Sequence, residues 1–301
     1  PRLQFEHPVT ESITGLDLVE WMIRIAAGEQ LTVTQSQVRR DGWAIECRIN
    51  AEDPFRNFLP STGRLVRFEP PEQTMFQADM SQRYGVRVDT GVFEGGEIPM
   101  HYDSMIAKLI VHGQDRNDAI QRMRAALNAF VIRGVESNIP FQAALLGHPD
   151  FASGHFNTGF IAEHYPHGFH AEDVPHEDPD FLVALAAYMH RRYRARACGI
   201  SGQMVGHEIT VGEAFTVVVL GPEGQHVPHE VTVSDYVDGA GSSNVQVGRK
   251  SYRISSSAHL GSIRVQGACN GMGFTAQIER GLPGQPLALR VRHNGTQIDT
   301  L

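Results

Sequence analysis

The sequence predicts two unlike halves. Residues 1–168 read as an α+β region, and residues 169–301 as a mostly antiparallel β-barrel of about eight strands around one long helix. Three observations carry this. Helical and strand periodicities interleave in the first half. After Gly199, Val/Thr alternation is broken every 8–12 residues by Gly, Asn or Pro. Between them, residues 164–180 hold His164, His167, His170, His176, Pro166, Pro175, Pro179 and five acids, the composition of a solvated linker with no preformed metal-ligand spacing.

Arg2 to His7 alternates like a strand that stops at Pro8, which cannot donate to a ladder. A helix is predicted over Gly15–Ala27, with Thr14 and Asp17 at its cap, Gly28 at its C-terminus, and Leu16, Val19, Ile23 and Ala26 as its apolar stripe. Trp43 to Asn50 is a strand with Ile45, Cys47 and Ile49 on one face and Glu46, Arg48 and Asn50 on the other. Met105 to Val111, nearly all apolar, predicts a strand buried on both faces. From Asp115 onwards, Ile120, Met123, Leu127, Phe130 and Val131 fall at helical spacing, with Gly134 beyond. In the second half, Asp178 caps a helix whose first residue is Pro179. Its stretch Phe181–Met189 is apolar all round, which calls for burial on every side. Arg191, Arg192, Arg194 and Arg196 crowd its end, either as a partner patch or as cations at the negative pole of the dipole. Strands follow at about 213–220, 229–236, 243–248, 251–256, 259–266, 273–280, 286–293 and 296–301, with Asn294-Gly295 the strongest hairpin turn.

Composition narrows the function. Thirty-four acids against 26 bases give a net charge of −8, which argues against nucleic acid as the main partner. Mean hydropathy is −0.24, and no apolar run approaches the roughly 18 residues of a membrane span. Cys47, Cys198 and Cys269 are few, scattered and odd in number, a pattern of a reducing compartment without a disulfide framework. No signal peptide is visible. The chain opens in mid-motif at Pro1-Arg2-Leu3-Gln4 and reads as part of a longer protein.

If the first segment is a strand, Arg2, Gln4 and Glu6 share a face: a guanidinium, an amide and a carboxylate suited to a small planar oxyanion, with the carboxylate able to take its proton. Arg48 adds positive charge. Spacing alone favours an ordinary exposed strand face with a weak cross-strand Arg–Glu pair. The literal sequence decides. Arg2-Leu3-Gln4-Phe5-Glu6-His7-Pro8-Val9-Thr10-Glu11, Ile13-Thr14-Gly15-Leu16-Asp17-Leu18-Val19, Glu46-Cys47-Arg48-Ile49-Asn50-Ala51-Glu52-Asp53-Pro54 and Tyr102-Asp103-Ser104-Met105-Ile106-Ala107-Lys108-Leu109 together resemble the biotin carboxylase family. The resemblance implies the C-terminal part of an ATP-grasp biotin carboxylase domain.

It also implies roles. Arg2 resembles the catalytic arginine that clamps bicarbonate, and Gln4 and Phe5 resemble positions that hold it through the main chain. Glu6 resembles the general base that deprotonates bicarbonate for attack on the γ-phosphate of ATP, through carboxyphosphate. Arg48 resembles the arginine that steadies the biotin enolate during carboxylation. Phe5 departs from the family's usual Val, a mild change where the backbone does the work. The family's metal-binding Glu and Asn precede the position of Pro1, so no metal ligand is expected in this chain. The glycine-rich ATP grip lies further upstream, and no Met-Lys-Met marks a biotinylated carrier domain.

Phe130-Val131-Ile132-Arg133-Gly134-Val135-Glu136-Ser137-Asn138 and Phe160-Ile161-Ala162-Glu163-His164-Tyr165-Pro166-His167-Gly168-Phe169 look like the α subunits of propionyl-CoA carboxylases. In that family the helix-plus-barrel (BT) domain docks the carboxyltransferase β subunit. The resemblance implies an ATP- and bicarbonate-dependent ligase working on carrier-bound biotin with Mg²⁺ or Mn²⁺, in a hetero-oligomer with the β subunit and the biotin carboxyl carrier domain. It lies in the cytoplasm if bacterial and in the mitochondrial matrix if eukaryotic. The alternatives are a methylcrotonyl-CoA or geranyl-CoA carboxylase subunit, or an assembly module that is inactive alone.

Overall fold

In the computed structural model, which describes residues 2–75, 84–100, 103–174, 176–221, 224–236 and 242–301, the chain divides into two units, Pro1–Asp173 and Val174–Leu301. Pro1, Tyr102 and Pro175 of the motifs above lie outside the described residues.

The first correction falls at the start. Arg2–Glu6 is irregular, and a helix α1 (His7–Thr14) follows, with Pro8 in its first turn. Proline has no N–H to lose there and its φ suits a helix, so it starts the element instead of stopping one. Glu11 fixes α1. Its Oε1 accepts from Leu18 N at 3.0 Å and its Oε2 pairs with Arg87 at 3.3 Å. Helix α2 is Leu18–Ala26, shorter than expected at its start, with the Asp17 carboxylate accepting from Glu20 N at 2.8 Å. Thr14 instead bonds back to the Thr10 carbonyl at 2.7 Å. Gly28, at φ 92°, closes the end in the left-handed conformation. The stripe is not buried as expected: α2 has no buried residue, and Val19, Ile23 and Ala26 are exposed.

Strands β1 (Trp43–Asn50), β2 (Gly85–Thr90) and β3 (Met105–Gly113) form an antiparallel sheet in the order β1-β3-β2. Cys47 and Ile49 point into the core, as alternation requires, and β3 is buried on both faces except at its first residue, Met105, and its polar position Lys108. The register sets Arg48 of β1 and Asp89 of β2 on either side of Lys108. Helix α3 (Arg116–Ala129), capped by Asp115, lays Ile120, Met123 and Leu127 on this sheet. Gly134 follows at φ 101°, where a Cβ would stand 2.0 Å from the Arg64 carbonyl oxygen; only glycine fits. The side chain of Asn138, just before helix α4 (Ile139–Gly147), acts as an extra strand residue for β1. Its Oδ1 accepts from Asn50 N at 3.0 Å and its Nδ2 donates to the Arg48 carbonyl at 3.0 Å.

The segment 164–180 contains the boundary between the two units, and most of it is exposed or half-buried as its composition suggested, but aromatic residues pin it. Phe169, 3% exposed, packs on Phe55, Phe141 and Tyr165. Beyond Val174, the His176 and His293 rings share a 2.7 Å N···N contact. Sparse aromatic anchors outweigh polar composition because each buries so much area.

The second unit is a closed antiparallel barrel of eight strands: β4 (Ala214–Leu220), β5 (His226–Ser234), β6 (Ser242–Val247), β7 (Lys250–Ser255), β8 (Arg264–Cys269), β9 (Met272–Leu282), β10 (Gln285–His293) and β11 (Thr296–Thr300). Helix α5 (Pro179–Cys198) packs with them in one core, and every residue from Phe181 to Met189 is buried. Tyr188 is 1% exposed and its hydroxyl accepts from Ser256 N at 3.0 Å, so the buried phenol is satisfied. Asp178 sits at the cap position but makes no side-chain cap bond. Its carboxylate takes Lys250 Nζ at 2.7 Å and the Tyr252 hydroxyl at 2.8 Å, joining the helix start to β7. Burial opposes ionisation there, but these two donors hold the carboxyl below its usual range. Of the four arginines, Arg191 lies over the Tyr236 ring at 4.5 Å and Arg192 donates to the Ala258 carbonyl at 2.8 Å.

Asn294 and Gly295, at φ 50° and 82°, form the expected hairpin turn, and Asn270-Gly271 forms a second at 52° and 85°. One strand is displaced: the expected 259–266 is a turn followed by β8. Ser256 Oγ donates to the Gln266 carbonyl at 2.6 Å and accepts from Ala258 N at 3.2 Å, diverting the chain before it can pair.

Candidate active site

The polar face of β1 is the floor of the site. Arg48 is half exposed, and its guanidinium lies 4.2 Å above the Phe5 ring. Lys108, directly across the ladder, donates to the Phe5 carbonyl at 3.1 Å and stands 5.8 Å from the same ring. Phe5 is thereby clamped between two cations through its ring and its main chain. The aromatic face stabilises each cation at a partly solvated site by roughly 0.5–1 kcal/mol.

Glu46, two residues along the same face from Arg48, completes the floor. Its side chain is 6% exposed, with Arg48 Nε at 3.9 Å. Burial raises its pKa, against the pull of Lys108, Arg48 and His7, and its Oε2 is buried without a hydrogen-bond partner among the described residues. A buried carboxylate oxygen left so is costly and marks a place built for a donor. Among the described residues the half-exposed Arg48 guanidinium donates no hydrogen bond. On the buried face of the same strand, desolvation pushes the Cys47 thiol up to about 12, which leaves it an inert core residue.

Arg2, Gln4 and Glu6 lie on the other side of this segment. With Leu3, His7 and Thr10 they line a 630 Å³ groove whose far wall is α2, through Leu18, Trp21, Met22 and Ile25. Leu3 lines the groove too, so the expected two-faced strand is replaced by an irregular segment that still separates Phe5 from the other three. Gln4 holds the turn, its carbonyl accepting from His7 N at 3.3 Å and lying 2.8 Å from His7 Nδ1. The structure thus brings Phe5 to Arg48, and gathers Arg2, Gln4 and Glu6 around the adjoining groove. Sequence reasoning missed Lys108 and Glu46 as site residues. The signal for Glu46 was its place on the Arg48 face; that for Lys108 was a lone cation in an otherwise apolar strand.

With this geometry, three family models match the chain. The carbamoyl-phosphate synthase L chain ATP-binding domain covers residues 1–34, the biotin carboxylase C-terminal domain residues 46–163, and the propionyl-coenzyme A carboxylase BT domain residues 182–301. The first unit thus carries a match to the biotin carboxylase C-terminal domain and the second a match to the propionyl-coenzyme A carboxylase BT domain. The propionyl-CoA carboxylase α chain of Ruegeria pomeroyi is 48% identical over 232 residues, 74% of this chain and 34% of its own length. The mouse mitochondrial methylcrotonoyl-CoA carboxylase α subunit is also 48% identical, but over only 162 residues, 54% of this chain and 21% of its own. Among solved structures, the biotin carboxylase domain of Hydrogenobacter thermophilus 2-oxoglutarate carboxylase, in complex with MgADP, ADP and bicarbonate, superposes with a TM-score of 0.50 at 46% identity, over 55% of this chain and 34% of that one. The chain spans between about a fifth and a third of the length of these relatives (21% of the mouse protein, 34% of the Ruegeria protein). The segment matched to an ATP-binding domain holds the exposed face of α2 and most of the groove lining. No described helix is long and apolar enough to cross a membrane.

Proposed function

We propose that the chain supplies the bicarbonate and biotin side of an ATP-dependent biotin carboxylase, together with the docking domain of a propionyl-CoA carboxylase α subunit. The observation that carries the first part is the pair of cations around Phe5, next to the groove of Arg2, Gln4 and Glu6. Arg2 would clamp bicarbonate with a two-pronged fork, aided by the main chain of Gln4 and Phe5. Glu6 would take its proton, giving the dianion that attacks the γ-phosphate of ATP. Biotin, when bound on its carrier domain, supplies the nitrogen that receives the carboxyl group. Arg48 would place fixed positive charge where negative charge develops on that acceptor. The argininyl N–H groups and the orphaned Glu46 oxygen suit a ligand that both accepts and donates hydrogen bonds, as a cyclic urea does. Propionyl-CoA is favoured over methylcrotonyl-CoA because the match to a propionyl-CoA carboxylase α chain is longer and a BT domain follows. The compartment would be the cytoplasm in a bacterium and the mitochondrial matrix in a eukaryote. In the full-length enzyme, Arg48→Ala should lower carboxyl transfer to biotin at least about tenfold more than it lowers ATP cleavage. Equal losses would contradict its place at the biotin step.

For docking of the carboxyltransferase β subunit, a closed barrel has no strand edge to offer. The loop 199–213 between α5 and β4 is a candidate, since it carries Ile200, Met204, Val205 and Ile209 at 60–91% exposure. Gln203 shapes it, accepting from Ile209 N at 2.8 Å and donating to the Ile200 carbonyl at 3.0 Å. Exposed apolar side chains on a shaped loop are what a partner buries. Met204→Asp with Val205→Asp should abolish co-purification with the β subunit while ATP cleavage is kept. Retained co-purification would move the dock elsewhere.

A further inference from the structure

Three metal-ligating side chains meet at the end of the first unit, away from the site above. His148 precedes the short helix Pro149–Ser153, Asp150 lies in it, and His164 ends the helix Phe160–His164. One ligand atom from each of the three falls within 4.8 Å of the others. His164 Nε2 is 3.4 Å and His148 Nδ1 3.9 Å from Asp150 Oδ2. A four-coordinate zinc ion with bonds of about 2.0–2.2 Å holds its ligand atoms roughly 3.3–3.6 Å apart. The first pair is already there, and the second needs only a few tenths of an ångström.

The histidines are seated, not splayed. Their ring centroids are 4.3 Å apart, and the buried ring of Phe160 lies 4.3 Å from His164 and 5.0 Å from His148. Packing has therefore already ordered side chains that a metal would otherwise have to immobilise. Both imidazoles are about a quarter exposed (26% and 29%) and Asp150 is half exposed, so an ion can enter and keep a water as fourth ligand. The competing contact is Asp150 N–H, which donates to His148 Nδ1 at a long 3.2 Å. Arg116 of α3 is the cation on the neighbouring element. Its guanidinium is tied to the carbonyls of Phe151 and Ala152 and stacked on the Phe151 and Phe156 rings, turned to its own partners.

We propose that His148, Asp150 and His164 form a site for a divalent transition metal of the zinc class, clamping the two short helices together. Two imidazoles and one carboxylate select such ions over magnesium or calcium, which take all-oxygen shells.

The test uses the whole 301-residue chain, stripped of metal and titrated with Zn²⁺ against a chromophoric chelator. One equivalent should bind more tightly than the rest. His148→Gln, Asp150→Asn and His164→Gln should each weaken it at least about tenfold, while His155→Gln and His167→Gln leave it unchanged. Co²⁺ on the unmodified chain should give the visible bands of a nitrogen- and oxygen-ligated, near-tetrahedral site, a readout independent of whether any variant folds. Absence of those bands, thiolate charge-transfer bands reporting a cysteine site, or a tight equivalent that survives loss of both His148 and His164 would each overturn the proposal.

Discussion

Replacing Glu6 by Gln in the full-length enzyme should lower bicarbonate-dependent ATP cleavage by about 10²–10⁴-fold, the usual range for loss of a general base. The structure makes this a clean experiment. Glu6 occupies the cap position of α1 but makes no side-chain cap bond, and its carboxylate forms no ion pair among the described residues. An isosteric amide therefore removes proton acceptance and little else, and folding should be unaffected. Phosphate release measured with and without bicarbonate reads it directly. A loss of less than tenfold would take the base assignment away from Glu6.

The second large effect is on stability. Leu185 is fully buried in the middle of α5, in one core with Leu182, Val233, Val245 and Ile254. Leu185→Ala should cost about 2–5 kcal/mol, transfer and cavity contributions together, since a helix packed within a closed sheet leaves little room to collapse. Leu185→Asp should prevent the second unit from folding, because an unpaired carboxylate there has no partner. Both tryptophans, Trp21 and Trp43, lie in the first unit. Denaturation followed by tryptophan fluorescence should therefore stay close to the unsubstituted protein's, while far-ultraviolet circular dichroism shows the barrel's transition moving to lower denaturant. A coincident shift in both signals would mean that the two units unfold as one.

What was legible beforehand follows from the range of the forces involved. Phe181–Met189 announced its surroundings because an all-round apolar helix has one solution, and Asn294-Gly295 because a type I′ turn is local chemistry. Arg2–His7 misled because six alternating residues fit a strand and an irregular segment equally, and Pro8 reads as a stop or a start until Glu11 is known to reach Arg87. The strand expected at 259–266 slipped because the Ser256 hydroxyl ties Ala258 N to the Gln266 carbonyl, which no periodicity records. In the site, Arg2, Gln4, Phe5, Glu6 and Arg48 were named from motifs, but their arrangement was not. The clamp on Phe5 depends on a register that pairs Arg48 with Lys108, 60 positions away. His148 and His164 were equally hidden: only the fold of two short helices makes them neighbours.

The barrel closes by pairing β4 with β11, Val219 opposite Thr300 and Leu220 opposite Asp299, with Val218 and Leu301 exchanging two backbone bonds at 2.8 and 2.9 Å. The first strand must wait for the last. During synthesis α5 and β4 emerge long before β11 exists, so the apolar helix and an unpaired strand edge stand open for the time it takes to add some 80 residues, several seconds at 5–20 residues per second. Closure then rests on the strand pairing of longest sequence separation in the barrel, the kind that forms slowly. A ribosome stalled before Thr296 would hold out a seven-stranded, open sheet with an edge ready to pair with its neighbour. For this half of the molecule, the interval before β11 appears is when chaperones matter most.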